Sequence, residues 1–220
     1  MPWRLHRGGR FRRWLGRRFG GDQALGDRAE RRILHGAAAV VLLYFVLPTG
    51  FFLVLPNEAV LLLGLLVVLA LELLRLGAGL ELPTIRPYEE RRIASYAWYA
   101  MAAVAAIVVF PEAIAVAVVL GTALVDPLLG ELRLLGGAAR WAYPWAGLGL
   151  YAVLAALSLS LVGHWDAART AIGAALSSII AVAAETASLE IVDDDLAMTL
   201  LPGAALVALG LLGGSPPLAL

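Results

Sequence analysis

Residues 182–212 read VAAETASLEIVDDDLAMTLLPGAALVALGLL: the end of one apolar segment, a short acidic connection and a second apolar segment. Glu185 and the run Asp193-Asp194-Asp195 fall where the apolar segments end. A bilayer core needs about 20 apolar residues per helix, and carboxylates at or inside such segments are costly, so they mark a site or a paired contact. The stretch therefore predicts two membrane helices that meet at a charged membrane face.

The composition extends this prediction to the whole chain of 220 residues. The chain is 61% hydrophobic and only 15% charged, whereas soluble domains are nearer a quarter charged. We therefore predict an integral membrane protein. All 17 basic residues are arginines and there is no cysteine. These absences exclude a P-loop lysine, a Schiff-base lysine, disulfides and thiolate nucleophiles.

The hydropathy pattern predicts an all-α, polytopic transmembrane helix bundle of about seven spans in residues 33–220, after a basic tail in residues 1–32. Pro111 is expected to start a helix after a tight turn. The sixth span is rich in small residues, with Gly173 and Ser177 at a spacing that allows close helix contact. We expect it to be the central helix, with Glu185 facing protein. The seven segments are 34–55, 58–76, 94–110, 112–129, 143–163, 168–189 and 196–213.

The arginines predict the orientation of these spans. With the N-terminus in the cytoplasm, sixteen arginines lie on the cytoplasmic side and only Arg169 lies opposite, as the positive-inside rule requires. Seven spans would place the C-terminus on the opposite face. The basic tail is expected to contact anionic membrane lipids, and no nucleic-acid partner is expected. Tyr96, Trp98 and Tyr99 are expected in the interfacial aromatic belt, and Asp166 as a helix N-cap on the far side.

Residues 121–133, GTALVDPLLGELR, end the fourth apolar segment with small residues, acids and one arginine. Glycines let backbone amides approach a phosphate, Asp126 has the chemistry to hold Mg²⁺, and Arg133 could clamp phosphate oxygens in a cytoplasmic loop. A purely structural alternative is a helix C-terminus, with Pro127 and Gly130 as breakers and Arg133 reaching the interface.

The run Asp193-Asp194-Asp195 directly precedes the last apolar segment. One acid is enough to cap a helix and complement its dipole. Three acids repel one another, and a divalent cation would relieve that repulsion. Because Glu185 adds a fourth carboxylate near the same level, we favour a metal site over capping alone.

Two further positions carry candidate chemistry. Glu72 and Arg75 are three residues apart on one predicted helix and are close enough to pair, either as mutual neutralisers or as part of a site. His35 follows two arginines at the entry to the first span. It could contact a phosphate or lie at the interface.

The order of these elements resembles the dolichol kinase-like, or polyprenol kinase, family, multi-span enzymes that phosphorylate isoprenoid alcohols with CTP. The motifs are Arg-x-x-His-Gly at 32–36, Glu-x-x-Arg at 72–75, the Gly/Asp-containing segment 121–133, and a late Glu and Asp run before a span with Pro202. The likeness spans about residues 33–205. The chain departs from the family where Thr122 takes the place of an aspartate after glycine, and in having no lysine.

The resemblance implies a lipid-alcohol kinase with a nucleotide, CTP, as phosphoryl donor, Mg²⁺ as cofactor and a lipid alcohol as acceptor at the cytoplasmic face. A lipid cytidylyltransferase, a non-catalytic relative and a small transporter are the alternatives. The implied catalytic residues are Asp126, Arg133, Glu185, Arg75 and His35. The implied nucleotide-binding residues are Gly121, Gly130, Glu131 and Arg133, and the implied metal ligands are Asp126, Asp193, Asp194 and Asp195.

Overall fold

The computed structural model describes residues 39–48, 55–79, 89–135, 139–187 and 193–212, and within these ranges it contains helices and no strand. The basic tail 1–32 and His35 lie outside the described residues. A 3-10 helix, Ala39–Phe45, precedes six α-helices. They are α1 Asn57–Ala78, α2 Ser95–Val109, α3 Glu112–Leu135, α4 Ala139–Leu161, α5 Ala167–Ala187 and α6 Asp194–Leu212.

Five of these helices are long and apolar enough to cross a membrane, which confirms a helical membrane bundle; α2 is shorter, at 15 residues. Seven spans are not found among the described residues. Of the predicted first span, 34–55, the structure describes residues 39–48 and 55, which include the seven-residue 3-10 helix Ala39–Phe45. Proline has no N–H to donate to a helix and clashes with the preceding turn, which fits the end of this helix at Phe45, three residues before Pro48.

The helices alternate in direction, and α3 is the central one. Helices α3, α4, α5 and α6 pack in sequence, while α2 and α3 also pack against α6 and α1 packs beside α2. The expectation that α5 is central was wrong. Of the 18-residue apolar stretch that could cross the membrane in each helix, 61% is buried in α3 and 44% in α5. The reason is that α3 has neighbours in α2, α4 and α6, whereas α5 packs mainly between α4 and α6.

Small residues set the distances between these helices. A Cβ atom at Gly121 of α3 would lie 2.3 Å from Cε2 of Tyr151 on α4, so the aromatic ring fills the place of a side chain. Gly173 and Ser177 of α5 are buried, as their spacing predicted. Close backbone approach at such positions is how membrane helices gain packing contacts.

Both predicted helix starts are confirmed. Pro111 precedes α3, and its carbonyl accepts the Ile114 N–H at 2.9 Å. Asp166 caps α5, because its Oδ1 accepts the Arg169 N–H at 2.9 Å. That hydrogen bond lowers the pKa of the exposed Asp166 carboxyl.

The segment 121–133 is helical, which corrects its prediction as a loop. Helix α3 continues through Pro127 to Leu135. Val125 and Leu129, on either side of the proline, are fully buried in the core shared with α4. Burial of this face outweighs the lost backbone hydrogen bond, so Pro127 and Gly130 do not end the helix.

Candidate functional site

The alternating helix directions bring most described ionisable residues to one end of the bundle. The C-terminal ends of α1, α3 and α5 lie there beside the N-terminal ends of α2, α4 and α6. Three groups occupy this end: the Glu185 centre (Arg133, Tyr143, Glu185), the aspartate cluster (Asp193, Asp194, Asp195) and the α1–α2 clamp (Glu72, Arg75, Glu89, Tyr96).

The Glu185 centre joins three helices through one carboxylate. Arg133 of α3 donates from Nη2 to Glu185 Oε2 at 2.6 Å. Tyr143 of α4 donates its hydroxyl to the same carboxylate oxygen, and its oxygen accepts a bond of 2.8 Å from Arg133 Nε. The guanidinium also lies 4.9 Å from the centre of the Tyr143 ring. Residues 133, 143 and 185 are thus held as one hydrogen-bonded unit.

Burial within this centre is uneven. The Glu185 side chain is 2% exposed, as its expected orientation toward protein required, whereas the Arg133 side chain is 45% exposed. The Arg133 hydrogen bonds run from Nε and Nη2, and Nη1 bonds to no part of the chain that the structure describes. An arginine fixed on one edge and open on the other can bind a second anion.

The aspartate cluster lies at the N-terminus of α6. The N–H of Asp195 donates to Oδ1 of Asp193 and to Oδ1 of Asp194, each at 3.2 Å, so the cluster caps the helix. One carboxylate oxygen from each of the three residues lies within 4.8 Å of the other two, close enough to share a metal ion. Burial, followed by the charges of Asp195 and Asp194, raises the pKa of Asp193 to about 8.

The Glu185 centre and the aspartate cluster are neighbours. The Glu185 carboxylate is within electrostatic reach of Asp194. The sequence prediction had grouped Asp126 with the three aspartates, but among the described residues the group of oxygens within 4.8 Å of one another contains residues 193–195 and not Asp126.

Helical periodicity indicates where Asp126 faces. It lies one turn beyond Thr122 on the same side of α3. The Thr122 hydroxyl is hydrogen-bonded to that of Thr199 on α6 at 2.9 Å, and Thr199 donates to the Asp195 carbonyl at 2.8 Å. Half-buried Asp126 therefore faces the first turn of α6. Thr122 thus joins α3 to α6.

The α1–α2 clamp is a separate network, and its charged residues Glu72, Arg75 and Glu89 are buried. Arg75 donates from Nε and Nη2 to the Glu72 carboxylate, both at 2.7 Å, and both side chains are almost fully buried. Arg75 also donates to the carbonyls of Glu89, Glu90 and Arg92. The predicted pairing of Glu72 with Arg75 is confirmed.

The contacts of Glu72 complete the clamp. Its carboxylate accepts from the Ala94 N–H at 2.7 Å and from the Tyr96 hydroxyl at 2.5 Å. Buried Glu89 accepts from the Ser95 hydroxyl at 2.6 Å, which fixes the start of α2. These contacts explain Arg75 as a structural residue, and its predicted role with phosphate stays a prediction.

The predicted nucleotide-binding residues occupy different surroundings. Gly121 is buried beneath Tyr151, and this packing accounts for the glycine. Gly130 is half-buried, and a Cβ atom there would meet nothing within 4 Å. Glu131 is half-buried beside it. Of the predicted glycines, only Gly130 leaves space near the charged end.

Tyr143 is the residue that sequence reasoning missed. A tyrosine near the start of an apolar span needs a partner for its hydroxyl, and the position of Tyr143 in the sequence could have been recognised on that ground.

The aromatic belt was also misplaced in part: Tyr99 is buried, and its hydroxyl donates to the Val119 carbonyl at 3.2 Å. In the part of the chain that the structure describes, the exposed indoles are Trp141 and Trp145 on α4, which are 82% and 72% exposed.

No protein-family model matches the chain, and no curated protein or solved structure matches it. The resemblance to the dolichol kinase-like family therefore stays a prediction from short motifs. The contacts within the Glu185 centre and the aspartate cluster are the basis for a function that does not depend on this resemblance.

Proposed function

We propose that this protein is a membrane-embedded lipid-alcohol kinase that transfers a phosphoryl group from a nucleotide, with CTP as the expected donor, to a polyprenol-like or dolichol-like alcohol. One observation carries the proposal. Arg133 and Glu185 are 52 residues apart in the chain, and they meet 2.6 Å apart beside three clustered aspartates. Phosphoryl transfer depends mainly on positioning and charge stabilisation, and these groups supply both.

The donor set of the aspartate cluster fits Mg²⁺. Three carboxylate oxygens within 4.8 Å of one another are hard ligands, and Mg²⁺ binds through carboxylates together with water and substrate phosphates. When bound, the ion neutralises charge on the nucleotide phosphates. Asp126, facing the same turn of α6, is a further ligand in this proposal.

In this proposal Arg133 acts on the transferred phosphoryl group and Glu185 acts on the acceptor hydroxyl. The open Nη1 edge of Arg133 binds oxygens of the transferred phosphoryl group. Glu185 takes the proton of the lipid hydroxyl while that oxygen forms a bond to the phosphorus and the bond to the nucleoside diphosphate breaks. A buried carboxylate within reach of the acceptor hydroxyl is a suitable general base.

The exposed indoles of α4 support a site at the depth of lipid headgroups. Trp141 and Trp145 flank Tyr143 along the helix axis, and exposed tryptophans at span ends favour the membrane–water interface. The hydroxyl of a lipid alcohol lies at that level.

The proposal places this end of the bundle at the cytoplasmic face, where nucleotides are made. It retains the N-terminus in the cytoplasm, seven crossings with 34–55 as the first, and the C-terminus on the opposite face.

The test is to incubate membranes that contain the protein with γ-labelled CTP or ATP, Mg²⁺ and a polyprenol or phytol-like alcohol. We expect labelled lipid monophosphate and release of nucleoside diphosphate. CDP-lipid with pyrophosphate would instead indicate a cytidylyltransferase. The absence of transfer with every nucleotide would refute both enzymes and favour a non-catalytic relative.

Two substitutions test the acidic residues. Asp126→Asn and Asp194→Asn should each abolish transfer, because each removes a charge that holds the metal, while membrane insertion is unchanged. Asp166→Asn, at the opposite end of the bundle, is the matched control and should retain activity, since asparagine also caps helices. Full activity in both site variants would refute the proposed metal-binding role of these acids and leave Asp194 as a cap of α6.

A further inference from the structure

The Glu185 carboxylate accepts hydrogen bonds from two side chains, Arg133 and Tyr143, that differ in how easily they can move away from it. Arg133 is nearly half exposed, lies near the end of α3, and has a flexible side chain. Tyr143 is less exposed, and the hydroxyl that it donates to Glu185 sits on a rigid ring near the start of α4. A competing anion can therefore attract the guanidinium, whereas the phenol stays with the carboxylate.

The buried carboxylate makes such a movement costly unless another donor remains. An ionised group that loses its partner in a water-poor site bears the full cost of desolvation. Asp194, within electrostatic reach of Glu185, adds to this cost. After Arg133 turns away, the Tyr143 hydroxyl is the remaining side-chain donor to Glu185 in the described residues.

We propose that Tyr143 is the positioning residue of the Glu185 centre: it holds the carboxylate in place while a phosphate group draws the Arg133 guanidinium away. The Arg133–Glu185 ion pair is then the resting state, and phosphate binding exposes a fixed Glu185 to the acceptor. This inference rests on the proposed function for the identity of the phosphate, which belongs to the nucleotide. It adds a coupling between phosphate binding and the position of the base.

The effect of removing the hydroxyl follows from the two states. In the resting state, Tyr143→Phe leaves Glu185 with Arg133 as a partner. In the phosphate-bound state, the same change leaves a buried carboxylate with no donor from either residue. Phosphate binding should therefore weaken by about tenfold or more, as expected for one hydrogen bond to a charged group.

The test measures the affinity of the purified full chain for inorganic pyrophosphate in the presence of Mg²⁺, by calorimetry. Tyr143→Phe should raise the dissociation constant by about tenfold. Glu185→Gln removes the charge that retains Arg133 and should bind at least as tightly as the unmodified protein. In that background, Tyr143→Phe should change the affinity by less than about twofold. Tyr44→Phe is the matched control, because Tyr44 donates to Glu58 at a distance from this centre.

The outcomes separate this inference from the proposed function. Equal losses from Tyr143→Phe in both backgrounds, or no pyrophosphate binding by the unmodified protein, would overturn it. If the affinities change as expected but no lipid is phosphorylated, the kinase proposal fails and the coupling stands. If Tyr143→Phe does not fold, infrared difference spectra of the unmodified protein decide. A pyrophosphate-induced carboxylate shift that Glu185→Gln abolishes supports the coupling, and its absence overturns it.

Discussion

Replacing Arg75 with methionine should strongly destabilise the attachment of α1 to α2. Methionine keeps most of the side-chain length but removes the positive charge and every donor. The substitution deletes two bonds of 2.7 Å to Glu72 and the bonds to three backbone carbonyls. Glu72 keeps the Ala94 N–H and the Tyr96 hydroxyl as donors, so its charge is not left entirely unpaired.

The magnitude follows from this balance. Breaking a buried ion pair by removing one partner costs about 3–5 kcal/mol, and the donors that remain on Glu72 favour the lower end, about 3 kcal/mol. Replacing both partners with apolar residues should cost less than the sum of the single changes, because no buried charge is then left unpaired. The clamp carries much of this attachment, because α1 buries little of its own surface.

The assay is reversible unfolding in mixed detergent micelles, with the free energy of unfolding compared among Arg75→Met, Glu72→Leu and the double variant. Arg91→Met is the matched control, since that arginine is exposed, and it should change stability by no more than about 0.5 kcal/mol. A loss below about 1 kcal/mol for Arg75→Met, or fully additive single changes, would refute the reasoning.

Two further substitutions test the packing that surrounds the site. Gly121→Ala should destabilise the bundle by about 1–3 kcal/mol, because its Cβ atom would lie 2.3 Å from the Tyr151 ring; Gly64→Ala, which meets nothing within 4 Å, is the control in thermal unfolding and should not destabilise. Thr122→Val removes the hydroxyl bonded to Thr199 and should cost about 1 kcal/mol, whereas an unchanged free energy of unfolding would show that this contact does not join α3 to α6.

Part of the candidate site was predictable from local patterns. The pairing of Glu72 with Arg75 follows from their spacing on one helix, and Asp166 was recognisable as a cap before an apolar run. The burial of Glu185 was expected from the small residues around it. Tyr143 was missed because its partners are 10 and 42 residues away in the chain, and no local periodicity relates such positions.

Local sequence patterns were enough to predict the helical membrane character, most of the helix bounds and the one-sided distribution of charge. The segment 58–76 became Asn57–Ala78, and 168–189 became Ala167–Ala187. These properties depend on runs of neighbouring residues, because the cost of placing a segment in a bilayer is a sum over its own side chains.

Three results depended on the packing of the helices: α3 is central, it continues through Pro127, and Arg133 bonds directly to Glu185 with Tyr143 beside them. Each result depends on which helices are neighbours. Val125 and Leu129 keep α3 helical past the proline because α4 covers them. The bond between Arg133 and Glu185 requires the end of α5 to lie beside the end of α3. Packing between helices sums many weak contacts from distant segments, so hydropathy and spacing within one segment do not specify it.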